Sequence, residues 1–397
     1  MNFLINNNFR KHLFLLFILL INILFIGIRI FDINRPLWND ELISLNTLQV
    51  NPLENPLYNG VSTNLPLFYY LIKIGSFLPI SGIDLRFVSL ILSIITINLV
   101  LYFYYKENSL TYLLLSLLIT LSPIQIYYSQ ELRTYMLTQL LLLAIFFLVK
   151  KVLNHQKINF LLLSVLIFLS LISHYTSFIF IAGLFMYLLF SKQITEKILK
   201  SFLIPSFLAC VVFIAISGNA GFSDSTDNSI LNLNFQRLTY FHLSENIKKT
   251  NEVLTIYYNY GLHYYRLDGF FTSMFKKFMY LLFLIGAFFF FQKKAPDLEF
   301  KFPTILLSII FALSIIFDML GFVPFGGRYL FPFNFLYLFV LAKILEKIYE
   351  YNKIFFGIIL SIIIFSYLTY NVCLIRNLEV YTGNNDPQGS IIQSCFK

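Results

Sequence analysis

The sequence predicts an all-α polytopic membrane protein, with about eleven transmembrane helices and interfacial helices in its first outer loop. Three observations predict it. Hydrophobic residues make up 58% of the 397-residue chain and charged residues 12%, with a mean hydropathy of +0.75, whereas an ordinary soluble domain carries about 25% charge. Apolar runs of about 17–25 residues, the length a bilayer crossing needs, recur along the chain. The basic residues sort to one side of those runs. A soluble fold could not hide this much apolar surface, and a disordered chain would not contain it. Three cysteines exclude a disulfide scaffold or a Cys-rich zinc site. The 26 Tyr and 47 Phe come with a single Trp and with Lys well in excess of Arg. A genome rich in A and T gives that pattern, so aromatic richness is not read as a site.

The runs cover residues 13–31, 87–104, 109–127, 134–149, 158–173, 176–190, 201–217, 278–291, 302–320, 329–345 and 354–373. The first follows Arg10 and Lys11 as a signal peptide would. It is too long for one and lacks a small-residue cleavage site, so it reads as a retained anchor. The stretch 65–80 is ambiguous: it is short, carries Lys73 and Gly75, and has Pro66 and Pro79 near its ends. Placed at the interface, it leaves 15 of the 29 basic residues on the inner side, in the N-terminus or in short loops, among them Lys106, Lys150, Lys151, Lys293 and Lys343. Made to span, it moves 13 of those 15 outside, so the interfacial placement is preferred. The N-terminus is then cytoplasmic and the protein sits in the cytoplasmic membrane. The net charge of +9 becomes an orientation signal, with no nucleic-acid partner implied. Two long outer segments result, 32–86 and 218–277, within one membrane-embedded domain over 1–397.

On that topology the charges at the outer face fall in four clusters: Arg35 to Glu41 (RPLWNDE), Ser129 to Tyr135 (SQELRTY), Ser173 to Thr176 (SHYT) and Gly326 to Leu330 (GGRYL). Each has an ordinary explanation. Asp40 and Glu41 suit the first turn of a helix. Glu131 and Arg133 suit an interfacial ion pair. His174 suits a satisfied polar group at a helix end, and Arg328 a headgroup anchor. Taken together they suggest one site, because ionisable groups at the lipid boundary are costly. Adjacent carboxylates offer a general base, and Arg133 and Arg328 offer forked donors for a phosphate. No Walker A, GxGxxG or GxSxG motif is present.

The order of these clusters resembles the GT-C superfamily of integral-membrane glycosyltransferases, in particular bacterial relatives of protein O-mannosyltransferases and of the lipid A aminoarabinose transferase. The matching stretch is 35–190, with an echo at 326–332. It comprises Asp40-Glu41 in WNDE, then Leu65-Pro66-Leu67-Phe68-Tyr69-Tyr70, where Leu65 replaces the first of the family's two prolines. Arg86-Phe87-Val88-Ser89 follows. Then comes Ser122-Pro123 running through Tyr127, Tyr128, Ser129, Glu131, Arg133 and Tyr135, and last His174-Tyr175 and Arg328-Tyr329.

The resemblance implies transfer of a sugar from a polyprenyl-phosphate donor to a glycan, lipid or protein acceptor at the outer face, with inversion. It implies Asp40 as base, with Glu41 orienting the acceptor or holding Asp40, and Arg328 and Arg133 on the donor phosphate. Glu131, His174, Tyr175 and Tyr329 support them. No cofactor is implied, and a divalent metal stays open, since no spacing such as HExxH supports a site. Two other readings stand beside this one. A transporter or lipid flippase fits the number of spans, although no internal repeat is visible. An O-antigen polymerase or ligase would draw on Arg237, His242, His263 and Arg266 in the loop 218–277.

Overall fold

The computed structural model describes residues 7–30, 67–76, 85–107, 109–219, 270–291, 298–319 and 330–377, together with Ile33, Leu37, Glu41, Leu42, Ser44 and Leu45. It is a bundle of helices, with no strand among the described residues. In chain order the helices are α1 (Asn7–Ile30), α2 (Leu67–Ser76), α3 (Arg86–Glu107), α4 (Leu110–Leu121), α5 (Pro123–Ser129), α6 (Tyr135–Leu153) and α7 (Phe160–Leu171). They continue with α8 (Ser177–Phe190), α9 (Glu196–Asn219), α10 (Phe270–Phe291), α11 (Leu298–Met319), α12 (Asn334–Tyr351) and α13 (Lys353–Asn377). Every one of the eleven apolar runs is occupied by a helix.

Helix length divides these runs. Among the described residues, α3, α6, α9 over Glu196–Ile214 and α11 over Leu298–Phe317 are long and apolar enough to cross a bilayer, and α4 with α5 makes a fifth if the bent pair is one span. Apolar stretches at Ile18–Ile30, Phe160–Leu171, Ser177–Phe190, Lys277–Phe291 and Lys353–Thr369 are shorter. A twelve-residue helix such as α7 rises only about 18 Å, short of an apolar layer about 30 Å thick. Helix α2 has ten residues, about 15 Å. It lies along the bundle through Phe68, Tyr69 and Ile72, which are buried while Ile74 is exposed, a one-sided pattern suited to an interface. The Leu67 amide donates to the Ile172 carbonyl at 3.4 Å.

The centre of the bundle is α6 and α12. Nearly every residue of α12 from Asn334 to Leu345 is buried, because α4, α10, α11 and α13 pack around it. A helix apolar on all sides needs such surroundings. Phe146 of α6 stacks on Phe302 at 4.9 Å and meets Phe335 and Phe339 edge-on. The outer helices turn large apolar side chains outward, including Leu161, Phe207, Ile214, Leu284, Phe291 and Phe365. A surface of that kind belongs against lipid.

Between α4 and α5 the chain bends by 61°. Pro123 has no N–H to offer the Ile119 carbonyl. Carbonyls around the break are met from elsewhere in the bundle. The Arg29 guanidinium donates to the Ile119 and Thr120 carbonyls at 3.0 Å each, and the Asn371 amide donates to the Leu121 carbonyl at 2.8 Å. In an apolar medium an unanswered backbone carbonyl is costly, so the break is stable only with Arg29 and Asn371 in place. Arg29 is wholly buried, with its guanidinium 3.5 Å from the Phe25 ring centre.

At the end of the bundle where α3 stops, charged groups from four helices interlock, joined by hydroxyls of α4. Lys150 donates to Glu107 at 2.6 Å and to Glu299 at 2.7 Å, and also to the Tyr112 hydroxyl. Lys343 pairs with Glu299 and Glu346 at 2.6 Å each, and Thr111 donates to Glu346 at 2.7 Å. The sequence counts Lys150 and Lys343 as loop-side orientation charges; both are instead buried inside helices and neutralised, so the orientation signal rests on the other basic residues. Removing one member of a buried pair strands its partners. Lys150→Leu is therefore expected to lower unfolding stability by about 3 kcal/mol, read as a fall in melting temperature in detergent. Lys200→Leu, at the exposed Lys200–Glu196 pair, is expected to change it by less than about 1 kcal/mol.

Candidate functional site

At the opposite end of the bundle, the acidic segment is fixed by a buried ion pair. Arg86 opens α3, where a cation opposes the helix dipole, and Glu41 offsets it. Arg86 Nε donates to Glu41 Oε1 at 2.7 Å and Nη2 to Oε2 at 2.5 Å, and both side chains are 0% exposed. This is the two-pronged geometry in which arginine and carboxylate bind most strongly. A third donor of the same guanidinium, Nη1, reaches the Ile33 carbonyl at 2.7 Å, and the Leu132 amide donates to Glu41 Oε1 at 2.9 Å. One ion pair thus joins the chain after α1, the start of α3 and the loop between α5 and α6.

That loop carries Glu131 and Arg133. Three hydrogen bonds hold it. Ser89 donates to the Glu131 carbonyl at 2.5 Å, the Gln130 side-chain amide donates to the Arg29 carbonyl at 2.8 Å, and the Arg133 backbone amide donates to the Glu131 carbonyl at 2.9 Å. Glu131 is buried and Arg133 half-buried. The Arg133 guanidinium lies 5.9 Å from the Tyr135 ring centre, and Tyr135 packs edge-on to Tyr128 at 5.0 Å. Tyr128 in turn meets Phe331 of the short 3₁₀ turn Phe331–Phe333 at 4.2 Å.

The α7–α8 loop closes the cluster. Thr134 donates to the Ser173 carbonyl at 2.9 Å, and the Thr138 and Ser173 hydroxyls are 3.0 Å apart. His174 is buried, 5.4 Å from Tyr135 ring to ring, with Tyr175 stacked on it at 4.3 Å. The Thr176 amide donates to His174 Nδ1 at 3.2 Å, and the Thr176 hydroxyl is 2.8 Å from the same atom. Nδ1 is therefore an acceptor, which places the ring proton on Nε2. Burial first, and the neighbouring Arg133 charge second, push the imidazole down to about 3. At neutral pH His174 is an uncharged hydrogen-bond donor.

Glu41, Glu131, Arg133, His174 and Tyr175 thus come together at one end of the bundle. Asp40, Arg328 and Tyr329 lie outside the described residues. The sequence treats Glu41 as half of a catalytic acidic pair. In the structure its two oxygens are engaged by Arg86 and the Leu132 amide, and it has no exposed surface, so it anchors the segment. Arg86 and Ser89 stand in the sequence only as a motif at the entry to a helix, and their spacing reveals neither the 45-residue link to Glu41 nor the grip on Glu131. Among the described residues no group of three His, Cys, Asp or Glu is placed to hold a metal ion. No family model, curated protein or solved structure matches the chain.

Two outcomes are expected. Arg86→Ala leaves Glu41 buried without its counter-charge and is expected to cost about 3–5 kcal/mol of stability. Adding Glu41→Leu to it is expected to recover most of that loss, which a double-mutant cycle of melting temperatures measures. For His174, the unfolded imidazole titrates near its ordinary 6.5 and the folded one near 3. Between those values the unfolded chain binds the extra proton, so stability falls as pH drops from about 6.5 towards 3 and is fully present above that window. His174→Gln is expected to flatten melting temperature against pH over the same interval.

Proposed function

We propose that the protein transfers a sugar from a polyprenyl-phosphate donor to an acceptor hydroxyl at the outer face of the cytoplasmic membrane. The observation that carries this reading is the convergence at one bundle end of four segments far apart in the chain: Glu41, Arg86–Ser89, Glu131–Tyr135 and His174–Tyr175. These are the segments that resemble the GT-C transferases, and a single contact, the Leu132 amide on Glu41, links two of them.

In this reading Asp40, next to the clamped Glu41, takes the proton of the acceptor hydroxyl as its oxygen attacks the anomeric carbon. The bond from that carbon to the phosphate oxygen breaks on the opposite side, which inverts the configuration. The departing polyprenyl phosphate gains negative charge, which Arg328 and Arg133 stabilise. His174, uncharged and with its proton on Nε2, donates a hydrogen bond to a sugar or phosphate oxygen without adding charge. Glu41 and Arg86 fix the segment that follows Asp40 in the sequence against the loop carrying Arg133, and Tyr175 and Tyr329 support the site. The number of crossings in this proposal is eleven, with the N-terminus inside.

Asp40→Asn is expected to lower transfer from lipid-linked sugar by about 10²–10⁴-fold with an unchanged melting temperature; near-normal turnover would remove Asp40 as the base. For the orientation, single cysteines replace Gln156, exposed in the α6–α7 loop, and Ser225, in the segment 218–277, in a background lacking the three native cysteines. An impermeant thiol reagent added from outside is expected to label position 225 and miss 156. The reverse pattern would invert the assignment.

A further inference from the structure

A second feature lies at the opposite end of the bundle, beside the Lys343–Glu299 pair. Helices α10 and α11 follow one another in the chain, yet α10 leans on α12 and α11 on α8 and α12, with little contact between α10 and α11 themselves. Two aromatic contacts bound the gap between them: Phe283 stacks on Tyr337 at 5.1 Å, and Phe290 meets Phe300 edge-on at 6.0 Å. Within those limits several of the facing residues are small. α10 presents Gly286 and Ala287 in the middle of a Phe-rich run, and α11 presents Thr304, Ser308 and Ala312.

Gly286 has a separate structural reason, since a Cβ there would come within 2.4 Å of the Ile344 side chain; it lets α10 approach α12 closely. The space left is an apolar cavity of about 730 Å³, well within the roughly 300–1,000 Å³ that holds ligands of lipid-fragment size. Its rim is apolar too, with Leu284 and Phe291 exposed beside it.

Among the described residues, a cation lies on the groove's face of α11. Lys301 lies one turn before Thr304 and Ile305 and shares their face of α11. Unlike Lys150 and Lys343, it makes no hydrogen bond or ion pair among the described residues. An apolar slot in a membrane protein with an ammonium group on the same helix face complements a hydrocarbon chain that ends in an anion. Water gains little from such walls, and a neutral lipid would leave the lysine unanswered.

We propose that this groove binds one acyl chain of an anionic phospholipid, with the lipid phosphate at Lys301. The site is at the end of the bundle away from Glu41, Glu131 and His174, so it stands independently of the transfer reaction. The test uses the purified, delipidated full chain titrated with phosphatidylglycerol or phosphatidylcholine, with bound lipid counted by native mass spectrometry. The wild-type chain is expected to retain one phosphatidylglycerol at lower lipid concentration than phosphatidylcholine. Lys301→Glu is expected to weaken phosphatidylglycerol retention by about fivefold or more while leaving phosphatidylcholine unchanged. Ser308 bonds only to its own helix, at the Thr304 carbonyl, so Ser308→Trp fills the groove without breaking another contact and is expected to weaken both lipids. Lys157→Glu, an exposed lysine at the same end, is expected to change neither. Equal retention of the two lipids by the wild-type chain, or wild-type retention in either Lys301→Glu or Ser308→Trp, would overturn the proposal.

Discussion

The contact between Arg86 and Glu41 decides where the acidic segment of this protein sits. Two full charges removed from water are stable together only if their geometry is good and their remaining hydrogen-bonding capacity is met. Both conditions hold. The guanidinium is forked onto the carboxylate and also reaches the Ile33 carbonyl, and the carboxylate also receives the Leu132 amide. Because every one of these bonds joins segments distant in sequence, the pair acts as a register pin. The end of the chain leading from α1, the head of α3 and the α5–α6 loop are held in one arrangement, and the aromatic stack from Tyr135 through His174 to Tyr175 is built on the last of them.

Buried ion pairs among the described residues sit at the two ends of the bundle. One end has the Glu41–Arg86 pair, the Glu131–Arg133 loop and a neutral histidine. The other has two lysines shared among three carboxylates. Between them α6 and α12 are packed by aromatic and aliphatic side chains. The two polar ends are built differently. The lysine network is closed, with its cations bonded to carboxylates and each carboxylate bonded to at least one cation. The other end combines a closed ion pair with a half-buried arginine over a tyrosine ring, an arrangement in which a charged group stays near the surface.

Much of this was legible in the sequence. Long apolar runs declare themselves because a helix in lipid must be apolar over its length, and each run is a helix. The four charged clusters stood out because the chain carries so few charges, and those within the described residues do meet at one end. Other features had no local signal. The partner of Glu41 is 45 residues away and that of Lys150 in α11 is 149 away; no spacing rule connects residues across helices. Lys150 and Lys343 were misleading for the same reason: a lysine at the end of an apolar run looks like a loop charge until its carboxylates arrive from other helices. Arg29, inside the first apolar run, had no visible purpose without the break that it serves. The stretch at 65–80 is assigned to the interface by charge balance, and the helix Leu67–Ser76 lies within it.

The bend at Ser122-Pro123 has a consequence for how the chain is assembled. Its carbonyls are answered by Arg29 from the first helix and by Asn371 from the last, about 90 residues before and 250 residues after the break. During synthesis Arg29 precedes α4, so the Ile119 and Thr120 carbonyls have their donor as soon as α4 is made. The Leu121 carbonyl waits until α13 has been made. α13 therefore completes a hydrogen bond near the beginning of the bundle, and a chain cut short before it would keep an open polar group in an oily medium.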